Sequence, residues 1–246
     1  MFWALVKTDF KLRYYGSWLG FFWVILKPLL IFMVLNFVFR YLFGTTVEHY
    51  SVWLFLGIMM WGCFSEGTLT GMTVFLNRAS LITKIAFPKY ILILAATANS
   101  LLTFFVNLIV LAVFFAFEGL VPSILGIFGF FFFVILLYAL IVSFAFLMSP
   151  LYIRFRDLSQ IWEVLLTAGF YATPIIYPMT TISSKWGFLL WLNPMTHIIH
   201  YSREFLIYGR SCTILSFFIY IGLTILLVSV SFFIFSHASR RVAELV

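Results

Sequence analysis

Long apolar runs separated by short polar segments constrain the fold of this chain more than any other feature of its sequence. An α-helix needs about 20 mostly apolar residues to cross the hydrocarbon core of a bilayer. With 64% hydrophobic and 9% charged residues among 246, the chain could not cover its apolar surface in water. We therefore predict an all-α integral membrane protein with about six transmembrane helices. The runs lie at roughly Leu19–Phe43, Tyr50–Leu76, Tyr90–Phe117, Ser123–Met148, Ile161–Tyr177 and Thr213–Phe235.

The distribution of lysine and arginine predicts the orientation of these helices. The net charge is +7, and the cytoplasmic loops of membrane proteins carry an excess of both residues. If the spans alternate in direction, most cations fall on the side of the two termini, which we therefore expect to be cytoplasmic. The cations come in twos and threes without one clustered basic face, so nucleic-acid binding is not predicted. The terminal side carries Lys7, Lys11, Arg13, Arg78, Lys84, Lys89, Arg154, Arg156, Arg240 and Arg241, and the opposite side carries Lys185, Arg203 and Arg210.

Residues 1–18 are expected to form an interfacial helix ahead of the first span. Apolar side chains recur there at every fourth position, which is typical of a helix lying along a membrane surface. The stripe consists of Phe2, Val6, Phe10 and Tyr14.

Residues 180–210, on the predicted outer side, have a broken pattern. Their apolar patch Trp186–Leu192 is too short to cross a bilayer. The region either re-enters the membrane before the last span, as a gate or vestibule, or lies outside as an amphipathic loop held at the headgroups. Residues 1–246 are predicted to form a single transmembrane domain.

No catalytic or nucleotide-binding motif is present in the sequence. It lacks a glycine-rich phosphate loop, a Gly-x-Ser-x-Gly elbow and a His-Glu-x-x-His pair. The cysteines, Cys63 and Cys212, imply neither a disulfide nor a metal site. His197, His200 and Glu204 could share one helix face, where we predict a hydrogen-bonding patch in preference to a metal site. The chain is therefore not expected to be an enzyme or to bind a cofactor or metal.

Glu66 is the clearest charged residue within a predicted span, and such residues are functional candidates by default. Gly67 and Gly71 follow it and form a small-residue face suited to close helix packing. Packing or hydrogen bonding is favoured for Glu66, and contact with a transported substrate remains open.

Aromatic residues make up 22% of the chain, and some fall inside the predicted spans. Their rings could stack on sugar rings along a channel, or they could pack between helices and face lipid. The candidate channel-lining residues are Trp61, Phe64, Glu66, Tyr171 and Tyr177.

Several short motifs follow the order and spacing of one transporter family across essentially the whole chain. They are Lys11–Trp23, Leu26–Leu29, Phe64–Gly67, Leu81–Pro88, Arg156–Leu158, Thr173–Tyr177 and Asn193–Arg203. Together they resemble the permease subunit of bacterial ABC-2 type transporters, specifically the exporters of O-antigen, teichoic acid and capsular polysaccharide.

This resemblance implies a working arrangement. Two copies of a six-span permease with cytoplasmic termini and outer re-entrant helices would pair in the bacterial inner membrane and dock two copies of a separate ATPase. ATP and Mg would bind to that partner, and the cargo would be a lipid-linked polysaccharide. The short external connections, Gly44–His49 and Glu118–Pro122, favour polysaccharide over a drug or small lipid as cargo.

The resemblance also assigns expected roles to individual residues. The residues expected to couple ATPase motion to the spans are Lys84, Phe87, Pro88, Arg154, Arg156 and Asp157. The residues expected to admit the lipid-linked end are Arg13, Tyr14, Tyr15, Trp18 and Trp23. The residues expected at the outer gate are Trp186, Trp191, His197, His200 and Arg203.

Three alternatives remain at this stage. Within transport, the chain could belong to an ABC-2 pump for a drug or small lipid. It could also be a membrane scaffold or a lipid-modifying enzyme, with Glu66, His197 and His200 as acid–base candidates.

Overall fold

The computed structural model describes residues 2–14, 18–79, 88–179, 190–211 and 213–245, of which residues 4, 10, 12–14, 214 and 239–245 are described by their backbone alone. The predicted all-α class is confirmed, since the regular secondary structure in these ranges is helical throughout. The α-helices are α1 Phe2–Tyr14, α2 Trp23–Asn36, α3 Tyr50–Asn77, α4 Tyr90–Phe117, α5 Ile124–Arg154, α6 Leu158–Ala172, α7 Pro194–Leu206 and α8 Ile214–Leu245.

The prediction of a multi-pass membrane protein is also confirmed. Within the described ranges, five helical segments are long and apolar enough to cross a membrane. The predicted fifth run is different, because it forms the 15-residue helix α6. At 1.5 Å per residue this helix is about 22 Å long, shorter than a hydrocarbon core of about 30 Å. The five segments are Gly20–Leu42, Tyr50–Asn77, Tyr90–Phe117, Ile124–Arg154 and Leu215–Ala238.

Two helices continue past the ends that the sequence predicts. Helix α5 was expected to end at Met148, yet it runs through Pro150 to Arg154. A proline removes one backbone hydrogen bond, which the rest of a long membrane helix tolerates. Helix α8 extends past Phe235 to Leu245, so the polar tail continues the last span as a helix.

Helix α3 is the centre of the bundle. Its span is 78% buried, against 11% for Gly20–Leu42 and 6% for Leu215–Ala238, so α2 and α8 lie at the periphery. The predicted packing role of its glycines is confirmed. A Cβ at Gly67 would lie 2.6 Å from Ile141 of α5, and one at Gly71 would lie 2.5 Å from Ala145. The missing side chains let α3 pack closely against its neighbours.

The first span is the most irregular part of the bundle. A 3₁₀ turn at Gly20–Phe22 leads into α2, and a π-helical segment at Phe37–Leu42 follows it. Pro28 lies inside α2 itself. Prolines and π-type turns are the usual sites at which helices bend. The first span therefore has two positions at which its axis can change direction.

Helix α1 occupies part of the segment that was predicted as an interfacial helix. Val6 is buried, and the helix packs against α4. An ion pair between Asp9 and Arg78 ties it to the end of α3. The N-terminal helix is thus joined to the bundle by both an apolar and an ionic contact.

Helix α7 packs into the bundle against α3 and α5. Asn193 caps its first turn by accepting a hydrogen bond from the Met195 amide at 3.0 Å, and Pro194 occupies the first helical position. A Cβ at Gly129 of α5 would lie 2.1 Å from the Phe205 ring. The glycine therefore opens the space that the Phe205 ring of α7 fills.

Candidate functional site

A groove opens between α2, α3, α4 and α6. Its volume is about 960 Å³. Most of its wall is apolar or aromatic, with a small number of polar side chains, which is the usual composition of a binding cavity. It is lined by Trp23, Val24, Lys27, Pro28 and Ile31 of α2, by Ile58, Met59, Trp61, Gly62, Cys63, Ser65, Glu66, Leu69 and Thr70 of α3, by Thr103, Phe104 and Asn107 of α4, and by Glu163, Leu166, Thr167, Phe170 and Tyr171 of α6.

Charged and hydroxyl groups are concentrated within this groove. Glu66 accepts a hydrogen bond from the Thr103 hydroxyl at 3.2 Å, which joins α3 to α4. Lys27 and Glu163 lie on the opposing walls of α2 and α6. Ionisable side chains within a membrane bundle face a partner, a cavity or a substrate path, because lipid cannot solvate them. The groove therefore brings ionisable groups from three helices into one mostly apolar cavity.

Aromatic side chains from three helices flank these polar groups. Trp61 packs against Phe170 with ring centroids 6.3 Å apart, and its indole reaches the backbone of Gly169. Trp23 and Tyr171 are 43% and 60% exposed, so their faces are open to a bound molecule. Aromatic faces beside hydroxyl and carboxylate groups suit ligands that carry both apolar and hydroxyl surfaces, such as sugar rings.

The structure brings together three of the five predicted lining residues: Trp61, Glu66 and Tyr171. Phe64 is instead buried between Phe144 and Trp162, at centroid distances of 5.6 and 6.4 Å. Tyr177 donates a hydrogen bond to the Tyr171 carbonyl at 3.0 Å and does not belong to the groove lining.

Sequence reasoning missed the contribution of α4 to the groove. Thr103 and Asn107 lie in an apolar run whose hydropathy gives no sign of a polar face. Lys27 and Glu163 carried a usable signal, because each is a charged residue within or beside a predicted span.

The residues that were predicted to admit the cargo are placed only in part. Trp23 lines the groove, and Trp18 is 98% exposed ahead of it. Tyr15 and the side chains of Arg13 and Tyr14 lie outside the described residues.

Beyond α6, a non-helical stretch at Thr173–Ile176 is buried in the bundle. Buried backbone carbonyls need donors, and here side chains supply them. Arg203 of α7 donates to the Pro174 carbonyl at 2.8 Å and to the Ile175 carbonyl at 3.0 Å. The Tyr50 hydroxyl donates to the Ile176 carbonyl at 2.9 Å. Together Arg203 and Tyr50 hold the chain where α6 stops.

Arg203 also anchors α7 to α3. Its Nε donates to the Trp53 carbonyl at 3.1 Å, and its guanidinium lies 3.3 Å from the centroid of the Trp53 ring. A Cβ at Gly57 would lie 2.4 Å from Arg203 Nη2, so the guanidinium needs a glycine at that position. Arg203 was predicted at an outer gate; it is 3% exposed and acts as an internal clamp in this state.

An aromatic and histidine patch covers the outer side of α7. His197 Nε2 donates to the Trp191 carbonyl, and His197 Nδ1 accepts from the Tyr220 hydroxyl at 3.0 Å. The His200 ring lies 5.5 Å from that of Trp191. Burial, with the charge of Arg203 and of His197, lowers the pKa of His200 to about 4, and burial lowers the pKa of His197. Both imidazoles are thus neutral near pH 7.

The predicted gate residues Trp191, His197 and His200 therefore lie together, and Trp186 lies outside the described residues. Among the described residues, no group of three or more His, Cys, Asp or Glu side chains is arranged to hold a metal ion. His197 has both ring nitrogens engaged in hydrogen bonds within this patch.

Two exposed segments lie at the end of the bundle opposite the histidine patch of α7. Pro88 precedes α4, and Arg154, Arg156 and Asp157 lie at the junction of α5 and α6. A short turn joins α4 to α5, so the start of α4 and the end of α5 share one end. Lys84 and Phe87, predicted as coupling residues with these four, lie outside the described residues.

Comparison with known proteins gives this arrangement a family. The profile of the ABC-2 type transporter family matches residues 1–207. An O-antigen export system permease protein RfbA from Klebsiella pneumoniae is 27% identical over 243 residues, covering 98% of this chain and 93% of the relative. A protein of the same name from Myxococcus xanthus is 31% identical over 200 residues, covering 80% of this chain and 76% of the relative. The chain belongs to the ABC-2 type transporter family.

Proposed function

We propose that this chain is the permease subunit of an ATP-binding cassette exporter that moves a lipid-linked polysaccharide out of the cytoplasm. The observation that carries this proposal is the groove, where Trp61 and Tyr171 flank Glu66 and Lys27. Rings of this kind stack on sugars, and the polar groups exchange hydrogen bonds with sugar hydroxyls. The O-antigen export relatives support the same cargo class. This cargo class comprises O-antigen, teichoic acid and capsular polysaccharide.

The groove has an open side, and we propose that a second copy of the chain closes it. Helices α2 and α6 form its walls and bury little surface within one copy. The exposed face of α6 carries Glu163 and Thr167 beside Ile161 and Val164. A carboxylate is costly against lipid, whereas an apolar rim suits a protein partner. A homodimer would join two grooves into one conduit through the membrane.

ATP hydrolysis would come from two copies of a separate nucleotide-binding subunit, which also binds Mg. The sequence has no phosphate-binding loop. The exposed end carrying Pro88, Arg154, Arg156 and Asp157 is the proposed docking surface, together with Lys84 and Phe87. In this arrangement the bundle lies in the bacterial inner membrane with both termini cytoplasmic, as the excess of cations at that end favours.

If this surface docks the ATPase, single substitutions in it should uncouple polysaccharide export from ATP hydrolysis. Substituting Arg156 or Asp157 by Ala should leave the groove intact, since both side chains are exposed and neither belongs to its lining. We expect export to fall while nucleotide hydrolysis by the complex continues. The measurement is surface polysaccharide together with ATPase activity of the same purified complex. Full export by either alanine variant would count against coupling at this position.

The proposal is tested by purifying the tagged chain in mild detergent and identifying the proteins that accompany it. We expect a nucleotide-binding subunit in about equal amount, vanadate-sensitive ATP hydrolysis, and loss of surface polysaccharide when the gene is deleted. A partner ATPase without any change in surface polysaccharide would indicate a drug or small-lipid pump. A chain that purifies alone and supports no hydrolysis would rule out the exporter and leave a scaffold or lipid-modifying enzyme.

A further inference from the structure

Pro28 leaves a gap in the hydrogen bonding of α2. It lies inside the helix, one turn after Val24. Proline has no amide hydrogen, so the Val24 carbonyl loses the donor that residue 28 of a regular helix would supply. Val24 is 2% exposed, so water cannot take the place of that donor.

Asn107 of α4 fills this gap. Its Nδ2 donates to the Val24 carbonyl at 3.2 Å and to the Thr103 carbonyl at 2.8 Å. These two bonds use both amide hydrogens and fix which way the amide points. Asn107 Oδ1 is buried and has no hydrogen-bond partner among the described residues. The Asn107 side chain thus supplies the hydrogen bond that α2 lacks, while its own Oδ1 has no donor within the described ranges.

A second contact holds α2 on the other side of Pro28. The Phe32 ring is buried 4.8 Å from Phe114 of α4 and 5.8 Å from Phe55 of α3, measured between centroids. This anchor is apolar and lies two turns beyond the Val24 carbonyl. The first half of α2, Trp23–Lys27, is therefore held by the buried Val24 side chain and by one hydrogen bond from Asn107, and the second half by ring packing.

The half that depends on Asn107 is also a wall of the groove. Trp23, Val24 and Lys27 belong to its lining, and Pro28 lies at the junction. The 3₁₀ turn at Gly20–Phe22, with Gly20 at φ +47°, precedes this half, so no continuous α-helix stiffens it from below. A rotation about Pro28 would move Trp23 and Lys27 relative to α6.

We infer that Asn107 is a positioning residue that latches Trp23–Lys27 against α4 and so sets the width of the groove. When the bond to the Val24 carbonyl is made, the groove has the dimensions of this structure. When it breaks, the first half of α2 turns about Pro28 while Phe32 holds the second half. The Asn107 amide can then turn so that Oδ1, which has no partner in the described part of the chain, accepts a bond that offsets part of the lost one. This inference rests on the proposed function for its direction, because that end of the groove is the cytoplasmic one.

Gly62 provides a probe of the groove width. It is exposed, lines the groove, and a Cβ at this position would meet no atom within 4 Å. The experiment places Gly62→Cys in a chain whose Cys63 and Cys212 are changed to Ala. The rate of labelling by a membrane-impermeant maleimide is then measured on inside-out membrane vesicles without nucleotide.

The variants are Asn107→Ala, Pro28→Ala and the double substitution. The matched control is Asn99→Ala, because Asn99 is also a buried asparagine of α4 with an unpaired Oδ1, yet its Nδ2 bonds the carbonyl of Ala95 in its own helix. Asn107→Ala is expected to raise the labelling rate by about threefold to tenfold, the factor that one net hydrogen bond contributes to an equilibrium. Asn99→Ala is expected to match the parent.

Pro28→Ala restores an amide hydrogen for the Val24 carbonyl, so it should fold and label more slowly than the parent. In that background Asn107→Ala should have little further effect. Equal labelling of Asn107→Ala and the parent, or the same increase with and without Pro28, would overturn the latch. The assay uses neither ATPase nor polysaccharide, so failure of the exporter proposal would leave its outcome readable.

Discussion

Arg203 shows how one side chain stabilises irregular backbone inside a membrane bundle. Its three donors satisfy carbonyls from α3 and from the break after α6. Each buried acceptor that loses its donor costs about 1–3 kcal/mol. Because the three acceptors are buried far from water, the loss of Arg203 affects them together.

We expect Arg203→Met to lower the free energy of unfolding by about 3 kcal/mol or more, measured as thermal unfolding in detergent. Arg203→Lys should be intermediate, since an ammonium cannot reach three divergent carbonyls in the plane of a guanidinium. The control is Arg210→Met, whose side chain is 74% exposed and lies 3.7 Å from Glu204. Equal effects of the two methionine variants would contradict the clamp.

The histidine patch predicts a sign for the dependence of stability on pH. The pKa of His200 is lowered to about 4 in the folded chain, against about 6.5 when it is unfolded. Between these values the unfolded chain binds a proton that the folded chain does not, so stability falls as the pH drops through this window.

His200→Gln should therefore lose less stability than the parent between about pH 7 and pH 5, measured by thermal unfolding. The same change at the exposed His237 serves as the control for a general histidine effect. Identical pH profiles of the parent and His200→Gln would show that His200 does not keep its neutral form in the folded chain.

At the scale of single residues, the sequence indicated which side chains matter better than it indicated their roles. Glu66 and Trp61 were candidate channel-lining residues, because a charge inside a span is a functional candidate and an indole can stack on sugar rings, and both line the groove. The resemblance placed Arg203 at a gate, and its internal contacts were not predicted because its acceptors are 28, 29 and 150 residues away along the chain. Such long-range partners leave no local signal.

At the scale of elements, close contact with α3 depends on glycine. Gly71 faces Thr97 of α4 and Ala145 of α5, whereas Gly62 of the same helix faces the open groove. Within this one helix, Gly71 therefore serves helix packing and Gly62 lines the groove.

Gly71→Leu should destabilise the bundle by at least about 1–3 kcal/mol, because overpacking forces the neighbouring backbones apart. Gly62→Leu should leave stability near that of the parent. The measurement is thermal unfolding of both variants in the same detergent. If the two leucines were equally harmful, α3 would not be oriented as described.

Hydropathy predicts some of the helix ends correctly and misses others. The spans at Tyr50 and Tyr90 begin where they were expected, since sharp polar breaks precede them. The helix in the predicted fifth span ends early, at Ala172. The non-helical backbone that follows, Thr173–Ile176, is stabilised because Arg203 and Tyr50 donate hydrogen bonds to its carbonyls. The contacts through which α7 docks were not predicted either, since they require Phe205 to meet Gly129, which is distant in sequence.

At the scale of the whole molecule, α3 is the tightly packed centre. Helices α2 and α6 bury little surface and form two walls of the groove beside it. One wall belongs to the irregular first span, and the other is the 15-residue helix α6, which is too short to cross the membrane. A tightly packed centre with sides that bury little surface suits a permease that must pass a polymer and still seal the membrane between cycles.

The measurement that tests this account most directly is export by a chain whose groove is filled. Gly62→Trp adds an indole to the groove, and Gly222→Trp of α8 is the matched control because a Cβ there also meets no atom within 4 Å and the residue is not part of the groove lining. Both variants are expressed in a deletion strain, with membrane abundance and ATPase co-purification checked. The account predicts that Gly62→Trp abolishes surface polysaccharide and that Gly222→Trp preserves it. Normal surface polysaccharide with Gly62→Trp would show that the cargo does not pass through the groove.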